Sequence, residues 1–175
     1  MTTRAAASGR GIDRAELLRA LDEGFRGPAW HGPSLRSALR GVTAAGARWT
    51  PAPGRNSIWE LALHAAYTRH RVLRRLDPTL AARFPRAVRR GWWPRLPDPP
   101  DAAAWKADLA LLDESHRKLC DAVVQLPAAR LLVTRPGKRW TLGQEVLGVA
   151  MHDVYHAGQV QLLRRLHAAP AAGRG

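Results

Sequence analysis

His152-Asp153-Val154-Tyr155-His156 places two histidines four residues apart inside a long stretch without proline. On a helix that spacing puts both imidazoles on one face, a turn apart. Neutral imidazole is the commonest protein ligand for divalent transition metals, so the pair is a chelate in need of a third donor. His64, in the middle of a second apolar stretch among Leu61, Leu63, Ala65 and Ala66, is the candidate for that donor. Three nitrogens plus water make the open site of a catalytic metal. A divalent ion held there lowers the pKa of a coordinated thiol or water and yields a nucleophile at neutral pH. Zinc, nickel, copper and iron all suit such a donor set, with zinc and nickel the leading candidates.

Around the three histidines, Asp153 and Gln159 are candidates to hold imidazole tautomers or a metal-bound water, although a helix-packing role suits either equally well. Asp153 is a methylene too short for the carboxylate of a His-Glu-x-x-His site, and no later motif supplies that motif's third ligand. No catalytic side chain is assigned, since the chemistry at such a site needs no protein nucleophile. Cys120, beside Leu119, Ala122 and Val123, reads as a small core residue. His116 falls on an apolar stripe and is expected in the core or in a polar contact, while His70 is expected to be exposed and His167 to sit at a helix end. His31, Trp92, Trp93 and the pair Arg139-Trp140 are candidates for a substrate-facing wall. Gly148 and Gly158, costly inside a helix, suggest close approach of another backbone or a ligand.

Helices must carry these residues. A first apolar arm starts near Ile12 with Leu17, Leu18, Leu21 and Phe25, breaks at Gly27-Pro28 and resumes with Leu35, Leu39 and Val42. After Pro51 and Pro53, Ser57-Ile58-Trp59-Glu60 has the form of a capping box, and a helix is predicted from there to about Leu76, where Asp77-Pro78 stops it. Six prolines between 78 and 100 leave a long connection without a regular element. Asp101 can cap a third long helix, along which Trp105, Leu109, Leu112, His116, Leu119, Val123 and Leu126 recur at helical spacing. Thr141 and Gln144 form a second capping box for a helix over 141–167. The expected fold is an all-α four-helix bundle over 12–167, with sites between facing helices, flanked by disordered tails at 1–11 and 168–175.

At 175 residues, 46% of them hydrophobic, the chain is long enough for one domain with its own core. A single cysteine forbids an internal disulfide and suits a reducing compartment, and residues 1–11 lack the apolar core of a signal peptide, so a cytoplasmic location without membrane attachment is expected. The net charge of +14 raises the question of nucleic acid. Of the 28 basic residues only Lys106, Lys118 and Lys138 are lysine, and the arginines are scattered through every segment, which argues against a nucleic-acid partner.

The stretch from Trp49 to His64 (WTPAPGRNSIWELALH), followed about 90 residues later by HDVYHAGQ at 152–159, resembles the DinB family, within the DinB/YfiT-like superfamily of metalloenzymes. Ala29-Trp30-His31-Gly32-Pro33 and the Trp105-to-His116 helix are similar to one branch of it, so that the resemblance spans about 13–166. It implies an up-down-down-up four-helix bundle, commonly a homodimer, with a divalent metal on His64, His152 and His156. Relatives of known activity include transferases that join low-molecular-weight thiols to electrophiles, and the family name records induction by DNA damage, hence a stress-response setting. The implied function is a metal-dependent S-transferase or hydrolase acting on a small-molecule substrate, possession of a thiol being the expected feature. The alternative is a metal-binding protein without catalysis, or a damage-response protein associated with nucleic acid.

Overall fold

The computed structural model describes residues 13–80, 82–88 and 91–168; Ile12, the expected N-terminal tail and residues 169–175 of the expected C-terminal tail lie outside these. The first arm is three pieces: α1 (Arg14–Phe25), α2 (Leu35–Ala38) and α3 (Ala44–Arg48). α3 was not evident from periodicity, because five residues are too few to show one, yet Thr43 caps it by accepting from the Gly46 amide at 3.2 Å.

α4 (Ile58–Leu76) starts at the predicted capping box: the Ser57 hydroxyl accepts from the Glu60 amide, and the Ser57 amide donates to Glu60 Oε2 at 2.9 Å. α5 (Ala102–Gln125) starts where the Asp101 carboxylate accepts from the Ala104 amide at 2.8 Å. A short α6 (Ala128–Leu131) follows Pro127. α7 (Leu142–Ala168) is entered through the Thr141 and Gln144 box, with both reciprocal bonds made, and takes in Ala168, which was expected in the tail.

The four long helices pack pairwise, α4 against α5 and α7, and α1 against α7 and α5. No strand occurs among the described residues, only the isolated bridges Val88 to Pro94 and Thr134 to Thr141, so the fold is all-α. Nor is any described helix long and apolar enough to cross a membrane.

The core has two apolar parts. One gathers Phe25, Leu39, Trp59, Leu63, Leu112 and Val160; the other gathers Leu17, Leu21, Val72, Leu119, Val146 and Val149. In sequence Arg69, His116 and Asp153 fall between the two sets on α4, α5 and α7, and all three are buried. Arg69 and Asp153 are 0% exposed and form an ion pair; the guanidinium also donates to Ala65 O at 3.0 Å and lies 4.6 Å over the Phe25 ring. Such a pair is worth having only when it is complete, because loss of either partner strands a buried charge.

Close approach of backbones occurs at glycines other than those expected. A Cβ on Gly24 would lie 2.8 Å from Ala150 O, and one on Gly143 3.0 Å from Leu131 O. At Gly148 and Gly158 it would meet nothing within 4 Å, so neither is required by packing inside this chain.

Candidate metal centre

α4 brings His64 to the face that α7 covers with His152 and His156. The Nε2 atoms of His64 and His152 are 3.0 Å apart, as are those of His152 and His156, and one ligand nitrogen from each ring lies within 4.8 Å of the others. Two nitrogens each about 2.1 Å from one ion, at octahedral to tetrahedral angles, are separated by roughly 3.0 to 3.4 Å, so the two 3.0 Å pairs have the spacing of neighbouring ligands and the cluster could hold a divalent metal.

The hydrogen bonds on the far side of the rings decide which nitrogens are free. His64 Nδ1 donates to the Trp92 carbonyl at 2.8 Å, and His156 Nδ1 donates to Gln159 Oε1 at 2.6 Å. Each neutral ring then presents a bare lone pair at Nε2. His152 has one proton to offer; placed on Nε2 it can serve only one of two 3.0 Å neighbours, and placed on Nδ1 it finds no hydrogen-bond partner, since that atom is buried without one. Three Nε2 atoms thus converge with at most one proton among them. A cation resolves that conflict, and a proton does not.

Electrostatics keep the rings neutral. Burial is the first cause in each case: it lowers His64 despite the Trp92 carbonyl, brings His156 to about 4, and, reinforced by the neighbouring imidazoles and Arg69, brings His152 to about 3. Neutral imidazole is the form that ligates.

The proline-rich connection supplies more of the site than its composition announces. Trp93 stacks on His64, ring centroids 4.2 Å apart, and Trp92 turns its carbonyl to the same imidazole while its indole lies 4.4 Å beneath the Arg71 guanidinium. Gln159 also donates to Tyr155 Oη at 3.2 Å, which fixes the amide against His156. Asp153 makes its ion pair with Arg69 and is pushed up to about 6 by burial, against the pull of that guanidinium. Arg69 had no distinguishing mark in the sequence beyond being an arginine on an otherwise apolar face.

The remaining candidates lie elsewhere. His31 is exposed, with the 94% exposed Trp30 as its ring neighbour, and Trp140 packs under Arg139 at the entry to α7, three turns before His152. His70 is half-buried against Phe84 rather than exposed, and His167 is exposed, edge-on to Trp49. His116 is buried, stacked 4.1 Å from Phe25. Cys120 lies 3.5 Å from His116 Nε2, and burial raises its thiol above the ordinary value, which opposes thiolate formation.

No curated protein and no solved structure gave a significant match. The family profile described as the DinB superfamily matches residues 29–160, a span that contains α4, α5 and all three clustered histidines. With more than half its length so matched and an all-α fold to go with it, the chain belongs to the DinB superfamily.

Proposed function

We propose that this protein is a metal-dependent enzyme in which His64, His152 and His156 hold a divalent ion and a small molecule reacts at its open face, a low-molecular-weight thiol in an S-transferase reaction or water in a hydrolysis. The observation that carries the reading is the convergence of three Nε2 lone pairs that protons alone cannot satisfy. When bound, the ion supplies a lowered pKa for a coordinated thiol or water.

The chain's own residues do the rest. The Trp92 carbonyl and Gln159 keep protons on Nδ1 of His64 and His156, so that both rings enter the site in the ligating tautomer. Trp93 covers one face of His64 and excludes water there. His152 is the member of the trio with partial exposure, which supports access for a small molecule from its side. Cys120, with its raised pKa and its place on α5 beside His116, is given no chemical role.

The test is conjugation of several small thiols to an electrophilic probe, with metal content measured on the same samples. His156→Ala should lose both metal and turnover, whereas Cys120→Ser should keep turnover within a few-fold. Full metal retention with no turnover over the panel would reject the enzymatic reading, and loss of activity in Cys120→Ser with metal retained would transfer the chemistry to a protein thiol.

A further inference from the structure

Between α4, α5 and the proline-rich connection lies a cavity of about 230 Å³ that none of the clustered histidines borders. The metal cluster is on the α7 side of α4, and this cavity is on the α5 side. Its apolar wall is made by Leu73, Leu80, Phe84 and Leu111. Leu73 and Leu80 go with one part of the core, whereas Phe84 and Leu111 pack against the other, so the cavity opens at the seam between the two.

The space is held open by bonds at its edge. Directly after Phe84 and Pro85, Arg86 donates twice to Asp108 Oδ1 on α5, at 2.7 and 3.0 Å. The other oxygen of that buried carboxylate accepts from Trp59 Nε1 at 2.8 Å, so the connection is anchored to the core at the cavity's margin. Pro85 fixes its own φ and stiffens the same stretch. A void of about 150 Å³ lined by Leu, Ile and Phe admits benzene, so this one has room for a ring of that size with a short polar arm, roughly ten non-hydrogen atoms in all.

The polar groups set the sign of that arm. Arg83, Glu114 and Lys118 border the cavity and are exposed, which puts them at its mouth, with the half-buried His70 beside them. Glu114 is held by Lys118 at 2.8 Å. Arg83 has no ion pair, and His70 no hydrogen-bond partner, among the described residues. After burial, the groups that lower the His70 pKa are Arg74, Lys118 and Arg71, all cations, so the field at the mouth is positive. We propose that this cavity is a binding site for a small apolar carboxylate, whose hydrocarbon part lies among Leu73, Phe84 and Leu111 and whose carboxylate takes Arg83 as counter-ion and accepts from the His70 ring N–H. A single anionic group on an apolar body suits a site with one apolar wall and few polar groups. The site is separate from the metal centre and needs no ion there.

Phenylacetate, 2-phenylethanol and 2-phenylethylamine share one apolar body and differ in charge, and calorimetric titration of the full chain compares them. Phenylacetate should bind about tenfold or more tightly than the alcohol, through the charged partner that only the acid satisfies, and the amine should bind most weakly. Arg83→Glu should remove the preference for the acid without weakening the alcohol. Leu111→Trp, which fills the space, should abolish binding of both while circular dichroism shows a folded chain; should it not fold, Arg83→Glu, a change at an exposed side chain, decides. His156→Ala should bind phenylacetate as the wild type does. No binding of phenylacetate, equal binding of acid and alcohol, or an Arg83→Glu variant that keeps the preference would overturn the proposal. Loss of binding in His156→Ala would overturn it too, by placing the ligand at the metal centre. A wild type that holds no metal and still binds phenylacetate leaves this site standing, so the cavity and the metal centre stand or fall separately.

Discussion

Each imidazole in the cluster has its role set by what its other nitrogen touches. Gln159→Leu removes the acceptor from His156 Nδ1 and should lower metal affinity by about 10 to 100-fold, measured by competition with a chromophoric chelator. The histidine pair was legible from the i, i+4 spacing and His64 from its place in an apolar stretch. The Trp92 carbonyl was not, because a backbone atom in a segment without periodicity leaves no mark in the sequence. His116 is a separate case, with no part in the cluster. Burial, helped by the Arg69 charge, lowers it from 6.5 to about 4, so the unfolded chain binds the extra proton between those values. Its contribution to stability is complete above pH 6.5 and is lost as pH falls toward 4. His116→Leu should therefore reduce the slope of unfolding free energy against pH in that window by about 1.4 kcal/mol per unit, followed by urea unfolding. His152 and His156 titrate in the same sense, whereas Asp153, raised to about 6, offsets part of the loss between pH 6 and 3.8.

Among the helices, the starts were the most legible feature, because a cap is a short-range hydrogen bond between residues three apart. Ser57 with Glu60, Asp101 with Ala104, and Thr141 with Gln144 all make theirs. Ser57→Ala should cost about 1 kcal/mol in thermal or denaturant unfolding. The resumed arm from Leu35 marks α2, whereas α3 and α6 leave no sign in the sequence, since four or five residues show no period and tertiary contacts hold them. How helices seat on one another was also hidden. Gly24 reads as an ordinary helix-interior glycine, yet it lets α1 approach Ala150 O on α7, and Gly24→Ala should destabilise by about 1 to 3 kcal/mol through that overlap. Arg69 and Asp153 clamp α4 to α7 beside the histidines. Arg69→Met alone should cost about 3 to 5 kcal/mol by stranding the carboxylate, while Arg69→Met with Asp153→Leu should unfold near the wild-type midpoint.

At the scale of the molecule, the two-part core, the polar layer between its halves and the histidine cluster beside that layer form one arrangement, in which helix packing brings three imidazoles together with His152 Nε2 3.0 Å from each of the other two Nε2 atoms. The net charge of +14 is carried by arginines spread through every segment of the chain. The claim on which the functional reading depends is that this cluster binds a divalent ion. The most direct measurement is elemental analysis of protein purified without an affinity tag or added metal, followed by calorimetric titration with zinc and nickel. One ion per chain is expected for the wild type and for Cys120→Ser, with loss of binding in His64→Ala, His152→Ala and His156→Ala while each variant stays folded. A wild type that takes up no ion, or histidine variants that bind as well as the wild type, would contradict it.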